Sequence, residues 1–298
     1  MDLHGPVSDF IVSRLSRFPV FRDYRDGKIT HAEYVAGLEA QAEEIEPAIG
    51  GAWHLRFIAS RYPADFDRNA DAIFAELRNR DLVGEMPEVK PFEDFRAEIA
   101  ARFRHEAYRT YINPDEARLL YFISVACRPR CMVVIGSYYA FWAIWAMPSV
   151  AATDGQAILI DPDAAVCDLA QRNLDALGFG GRAVVRAEKA EDVLPDIEPE
   201  SLDMVVLDAA GSSDHPDPTY HGKGIYAFMA PAVFEKLRPG AWLVVHNDYL
   251  PDVGANPLAQ PILDGNAAQL EAFHAFCDQR FSNHHVAATP DGFGVYRK

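Results

Sequence analysis

Cys131-Met-Val-Val-Ile-Gly136 and Ala157-Ile-Leu-Ile-Asp161-Pro162 decide how this chain reads. Each is a short apolar run, rich in β-branched residues, that stops at a turn former or an acid. Runs without polar alternation suit strands covered on both faces, as in a parallel sheet. Working outward, further runs fall at Arg182–Arg186, Leu202–Leu207 and Ala241–Val245. Helical patterns lie between them at Ala140–Met147, Ala164–Leu177 and Ile225–Leu237, and Arg238-Pro-Gly240 predicts a turn before the fifth run. This alternation predicts βαβ units and a doubly wound α/β domain. Two short terminal strands are expected at His285–Ala288 and Gly294–Arg297, joined by a turn at Pro290-Asp-Gly292.

The first third of the chain follows a different pattern. Residues 1–113 read as a helical subdomain and residues 114–298 as the α/β domain. Ser8 is placed to cap a first helix with Phe10, Ile11, Leu15 and Phe18 on one face. Thr30-His-Ala-Glu33 has the capping-box spacing, with Tyr34, Leu38, Ala42 and Ile45 following at helical period. Further helices are expected over Asp65–Asn79 and Phe92–Tyr111.

Composition narrows the partners. The 28 Lys and Arg against 44 Asp and Glu give a formal charge of −16. Such a chain repels phosphate backbones and anionic membrane surfaces, so a small-molecule substrate is expected rather than nucleic acid or membrane. The four cysteines, Cys127, Cys131, Cys167 and Cys277, form no zinc pattern. The apolar stretch Met132–Val150 is broken by Gly136 and Pro148, which argues for strand, turn and helix instead of a membrane span. A cytoplasmic location is the expectation that follows.

In open α/β sheets, ligands bind outside the carboxyl ends of the strands. Gly136 ends the first strand, where glycine lets the chain turn tightly and a ligand approach the backbone. Asp161 ends the second, 25 residues on, placed to accept from both ribose hydroxyls, though a helix N-cap carboxylate would look the same. Ala187-Glu-Lys-Ala190-Glu191-Asp192 follows the third. Asp208 closes the fourth, and a carboxylate at the end of a buried strand needs solvent or a partner. His246-Asn247-Asp248 closes the fifth.

Taken together, these residues resemble the class I S-adenosylmethionine-dependent methyltransferases, above all the catechol and caffeoyl-coenzyme A O-methyltransferases. The resemblance spans residues 114–298 and rests on Pro114-Asp-Glu-Ala-Arg-Leu-Leu, Ile-Gly136, Ile-Asp161-Pro, Val-Leu-Pro195, Leu-Asp208-Ala, Leu-Arg-Pro-Gly240 and His246-Asn247. It implies a Rossmann-like seven-stranded methyltransferase sheet with an N-terminal helical lid or subdomain. It implies S-adenosylmethionine as cosubstrate or substrate, with Gly136 and Ser137 beside the methionine moiety. Asp161 would hold the ribose, Ala190 and Glu191 would border the adenine, and Asp208 would face the reaction. Azetidine-2-carboxylate synthases share the layout of methyltransferase fold plus helical lid.

The chain departs from that pattern in three places. Where the family has an acid, a second glycine and a serine around the glycine turn, Val134, Ala140 and Trp142 stand here. Of the family's divalent-cation ligands, Asp208 and Asn247 match, but His246 replaces an acid, which weakens a magnesium site and suits a softer metal. A metal, if present, would sit on Asp208, His246 and Asn247. Gly211 occupies the family's lysine position, followed by a long loop with His215, Tyr220, His221 and Lys223.

Tyr138-Tyr139-Ala-Phe-Trp142-Ala-Ile-Trp145 adds unusual aromatic density where a sulfonium would lie, and aromatic faces attract cations. Tyr138, Tyr139, Asp208 and His246 are therefore the expected catalytic residues, with His246, His221 or Lys223 as base. The reading is methyl transfer to oxygen or nitrogen of a small molecule by a route other than metal plus lysine. Its alternatives are cyclisation of the aminocarboxypropyl arm to azetidine-2-carboxylate with release of methylthioadenosine, and a cofactor-binding pseudoenzyme. The N-terminal helices are expected to cover the cofactor mouth, to dock a second subunit in a homodimer, or both.

Overall fold

The computed structural model describes residues 4–249 and 256–298. Seven strands form one sheet: β1 (Cys131–Ile135), β2 (Gln156–Ile160), β3 (Ala183–Arg186), β4 (Leu202–Leu207), β5 (Leu237–His246), β6 (Asn283–Ala287) and β7 (Phe293–Arg297). Their order across the sheet is β3-β2-β1-β4-β5-β7-β6. The first five run parallel, and β7 pairs antiparallel with both β5 and β6. Strand order reverses at β1, so the switch point lies between β1 and β4.

Register aligns the strand ends. Ile135 pairs with Ile160 on one side and Leu207 on the other, and Leu207 pairs with Val245. The next residue on each strand, Gly136, Asp161, Asp208 and His246, therefore stands in one row along the carboxyl edge.

Alternating side chains of the central strands feed two apolar cores, because a strand's side chains alternate between its faces. Val133, Ile135, Val205, Leu207, Leu243 and Val245 enter one core together with Val7 through Tyr62 of the N-terminal helices. Met132, Val134, Met204, Val206 and Val244 enter the other, together with residues from Ala70 to Ile112. Both cores thus draw on either side of position 113.

Four local expectations need correcting. Ser8 does not cap the first helix: Pro6 holds the N-cap position, and the Ser8 hydroxyl is buried without a partner. The helix expected to reach Tyr111 spans Val89–Arg102, since Phe103 turns extended to pack on Tyr139 and Phe141. Its continuation pairs Arg109–Thr110 with Gly5–Pro6 as a short parallel ladder. No helix starts at Ala140, because Tyr138 and Ala140 both take left-handed backbone angles; a 3₁₀ turn at Ala143–Ala146 leads into a helix at Met147–Ala152. Arg238-Pro239-Gly240 lies within β5, as an irregularity in its pairing with β4 between Leu202 and Met204. The Thr30–Glu33 capping box forms as expected, with both reciprocal bonds.

Helix α1 (Pro114–Cys127) leads into β1, α2 (Ala164–Ala176) links β2 to β3, and α3 (Ile225–Lys236) precedes β5. Helix α4 (Gln260–Arg280) packs beside α3. The sequence reading passed over α4, although Leu263, Ala267, Leu270, Phe273 and Cys277 bury one face at helical spacing.

Candidate active site

A cleft of about 780 Å³ opens over the row of strand ends. Its size lies within the roughly 300–1,000 Å³ of small-molecule sites. Gly136, Tyr138, Asp161, Ala190 and Glu191 line it, and so do Asp208, His246 and Asn247. Arg109 to Ile112 form part of its wall, so the end of the N-terminal region does reach the mouth.

The bend after β1 is set by backbone geometry. Gly136 has φ +75°, and a Cβ there would lie 2.6 Å from the Ala209 backbone. Tyr138 (φ +47°) and Ala140 (φ +70°) take the same left-handed region without being glycine, a conformation that costs roughly 1–2 kcal/mol per residue. Strain of this kind gathers at ligand sites. The Gly136 and Ser137 amides donate to Ile160 O at 2.9 and 3.0 Å, which ties the bend to β2.

Asp161 completes that tie. Its Oδ2 accepts from the Tyr138 amide and its Oδ1 from the Asp163 amide, both at 3.0 Å. The helix cap is Asp163, which accepts from Ala165 N, so the capping alternative for Asp161 falls away. Burial pushes the Asp161 carboxyl up from its ordinary value.

Ser137 faces a smaller space. With Trp142, Thr110 and Asp208 it lines a cavity of about 30 Å³ adjoining the cleft. Ser137 Oγ and Trp142 Nε1 are buried and find no partner among the described residues. A buried donor without a partner costs about 1–3 kcal/mol, so two beside one cavity mark a place for an acceptor.

Tyr139 is a correction. It is fully buried, stacks on Tyr108 and Phe141, and bonds His105 Nδ1 through its hydroxyl at 3.0 Å. Its ring lines neither cavity, because the left-handed step at Tyr138 turns neighbouring side chains apart. Tyr138 remains in the cleft and is 40% exposed. Phe141, Trp142 and Trp145 all pack in the apolar core; Phe141 and Trp142 also line the small cavity, and Trp142 lies 5.1 Å from the His246 ring.

A chain of charges crosses the floor. Lys223 Nζ donates to Asp208 Oδ1 at 2.8 Å and to Ala209 O at 3.0 Å. His246 Nδ1 lies 3.1 Å from the same Asp208 oxygen, and its Nε2 lies 3.2 Å from Glu116 Oε2. Burial alone would raise Asp208, but the Lys223 and His246 charges bring it down to about 2. Burial alone would lower His246, but Asp208 and Glu116 lift it to about 10. With a carboxylate at each ring nitrogen, His246 is favoured as the imidazolium, which suits a charge partner of Asp208 rather than the base expected of it. His221 is folded into its own loop, bonding His215 O at 2.8 Å.

A divalent cation fits this arrangement poorly. Both nitrogens of His246 already face carboxylates, and Asp208 Oδ1 already carries an ammonium and an imidazolium. Asn247 lines the cleft, and its amide nitrogen donates to Tyr249 Oη and Asp291 O, which leaves its Oδ1 as the one uncommitted oxygen it could offer. His246 also comes near Glu116 and Asp291 on its buried side. There Glu116 is saturated by Asn113 N, Thr289 Oγ1 and Asp291 N, while burial and the Glu116 charge raise Asp291 to about 7.

Sequence reasoning missed Glu116 altogether. Its signal was present: Asn113-Pro-Asp-Glu116 is a capping box whose acid is fully buried. The segment joining Asp208 to α3 folds back as a hairpin, with Gly211 and Gly222 exchanging backbone bonds at 2.8 and 3.1 Å. That fold carries Lys223 to Asp208. It also carries Tyr220, stacked on His215 at 4.1 Å, to hydrogen-bond Glu191 on the far side of the cleft.

Residues 133–248 match the family described as a methyltransferase domain. The matched span runs from β1 to just past β5, and so contains every strand end described above. Among curated proteins, a catechol O-methyltransferase of Niastella koreensis is 26% identical over 101 residues. That stretch is 33% of this chain and 45% of the relative, so the chain spans less than half of the curated relative it matches. Among solved structures, an O-methyltransferase from Bacillus cereus in complex with SAH is 16% identical with a TM-score of 0.50, over 76% of this chain and 97% of that one. The O-methyltransferase TomG from Streptomyces achromogenes, in complex with SAM, is 19% identical with a TM-score of 0.50, over 78% and 98%. These likenesses bear out the Rossmann-like seven-stranded methyltransferase sheet. No helix of the described residues is long and apolar enough to cross a membrane.

Proposed function

We propose that this protein transfers the methyl group of S-adenosylmethionine to a hydroxyl of a small molecule. The observation that carries this reading is the Asp161 carboxylate in the cleft, pinned beside the Gly136 bend by the Tyr138 amide. Each of its oxygens accepts one backbone amide and keeps a lone pair for a ribose hydroxyl. Ala190 and Glu191 border the space an adenine would take. The unpartnered Ser137 hydroxyl and Trp142 indole N–H suit the carboxylate of the amino-acid arm. The Tyr138 ring offers a face to the sulfonium. The methyltransferase-domain match and the catechol O-methyltransferase relative support the same class.

When bound, S-adenosylmethionine supplies an electrophilic methyl carbon, whose bond to sulfur breaks as its bond to the acceptor oxygen forms; the acceptor's proton leaves by way of Asp208 Oδ2 to water in the open cleft, so the products are the methyl ether, S-adenosylhomocysteine and a proton. The chain supplies placement and charge. Asp208 Oδ2 takes no hydrogen bond from the described residues, so it is free to accept from the acceptor hydroxyl and orient its lone pair. The imidazolium of His246, at the cleft floor, favours negative charge building on that oxygen. With the leaving group already activated, positioning and exclusion of water supply most of the acceleration.

The test is incubation of the purified protein with methyl-labelled S-adenosylmethionine and a panel of phenols and other hydroxyl compounds, read by mass spectrometry. Acceptor-dependent S-adenosylhomocysteine and a labelled methyl ether are expected. Methylthioadenosine formed without acceptor would replace this reading with attack on the aminocarboxypropyl arm. Tight binding with no product of either kind would mark a pseudoenzyme.

A further inference from the structure

The Lys223–Asp208 contact has more built around it than a surface ion pair would. The ammonium is one of the more enclosed cations of the chain, with its side chain 19% exposed. It donates to Asp208 Oδ1 and Ala209 O, and it lies 5.2 Å over the Tyr226 ring. Its backbone amide is held by Gln269 Oε1 of α4 at 3.2 Å. The hairpin that delivers it closes at Gly211, where a Cβ would lie 1.8 Å from Tyr220 O. Glycine at 211 is thus required for the loop to fold tightly enough to bring residue 223 back.

We propose that Lys223 is the resident cation at Asp208 and excludes a divalent ion from that carboxylate. Oxygen ligands bind magnesium or calcium at roughly 2.0–2.6 Å. An ion at that distance from Asp208 Oδ1 would lie within about 5 Å of the Lys223 ammonium, a separation at which like charges repel strongly in a partly buried site. The ammonium also occupies Oδ1, so only Oδ2 is left open, and an ion there would face the same ammonium and imidazolium charges across the carboxylate. The charges balance without one: Lys223 and His246 stand against Asp208 and Glu116. Lys223 does not line the cleft, so it acts through Asp208, as a positioning residue that keeps this carboxylate ionised and fixed. The inference concerns the cation alone and stands apart from the proposed methyl transfer.

The experiment is a manganese titration of the full chain, followed by electron paramagnetic resonance. The wild type is expected to show no Asp208-dependent site up to about 1 mM, the weak end of biological divalent sites. Lys223→Met keeps the apolar stem and removes the charge. It is expected to take up one Mn²⁺ at least tenfold more tightly than the wild type, and the further change Asp208→Asn should release it. Lys223→Arg should keep the ion out. Lys223→Gln replaces Lys223→Met should circular dichroism show the latter unfolded. A wild-type Mn²⁺ site lost on Asp208→Asn would overturn the proposal, and so would folded neutral variants that gain none. S-adenosylmethionine binding, measured calorimetrically on the same samples, reports separately on the proposed function.

Discussion

Glu116 Oε2 lies 3.2 Å from His246 Nε2, and both side chains are buried, one on α1 and the other at the end of β5. The pair joins the helix before the sheet to the strand that closes the cleft. Because the folded state raises His246 to about 10 from an unfolded value near 6.5, its contribution to stability is full below the unfolded value. It fades as pH rises through the folded one. The melting temperature is therefore expected to fall between roughly pH 7 and 10. His246→Gln should flatten that decline, and Glu116→Gln, which strips one partner from a buried pair, should cost about 3–5 kcal/mol. Denaturant melts across that range check both, and an unchanged slope in His246→Gln would refute the assignment.

Asp161→Ala is expected to weaken S-adenosylmethionine binding at least tenfold, since the loss of even one hydrogen bond to a charged group is worth about 1.5–3 kcal/mol. Because Asp161 also holds the Tyr138 amide, Asp161→Asn, which keeps an acceptor, should lose less. Titration calorimetry gives both constants; an unaltered value for Asp161→Ala would remove the ribose role.

Trp142→Phe deletes the indole N–H and keeps most of the ring. Combined with Ser137→Ala, it is expected to weaken S-adenosylmethionine roughly tenfold, the loss of about 1–2 kcal/mol. Methylthioadenosine has no carboxylate and should bind wild type and variant alike. Equal losses for both ligands would mean that the small cavity serves packing alone.

Ala140 has φ +70°, so Ala140→Gly should relieve strain and raise stability by about 1 kcal/mol. Gly136→Ala should do the reverse and more, since its Cβ would meet Ala209 backbone at 2.6 Å. Thermal melts of the two variants should move in opposite directions; a destabilised Ala140→Gly would contradict the strain argument.

The sheet was legible because its central strands are buried on both faces, as residues 132–135 and 204–207 show, and so carry uninterrupted apolar runs. Gly136, Asp161 and Asp208 were legible because each ends such a run. The charge relay was not. Lys223 lies 15 residues beyond Asp208 in a loop without periodicity, and only the Gly211–Gly222 pairing brings it home. Glu116 hid inside an apolar helix, where its capping box explained it without reference to the cleft. Tyr139 was misjudged because adjacency to Tyr138 says nothing about direction once the backbone turns left-handed.

The two cores that straddle position 113 bear on how a ligand gets in. An N-terminal region rooted in the same apolar packing as the sheet cannot swing away as a hinged door without exposing Ile11, Leu15 or Phe74 to water. The Gly211–Gly222 hairpin is fastened differently: Tyr220, beside its closing pair, hydrogen-bonds Glu191, another residue of the cleft wall, and Lys223 ties its base to Asp208. Parting that one phenol–carboxylate bond disturbs neither core.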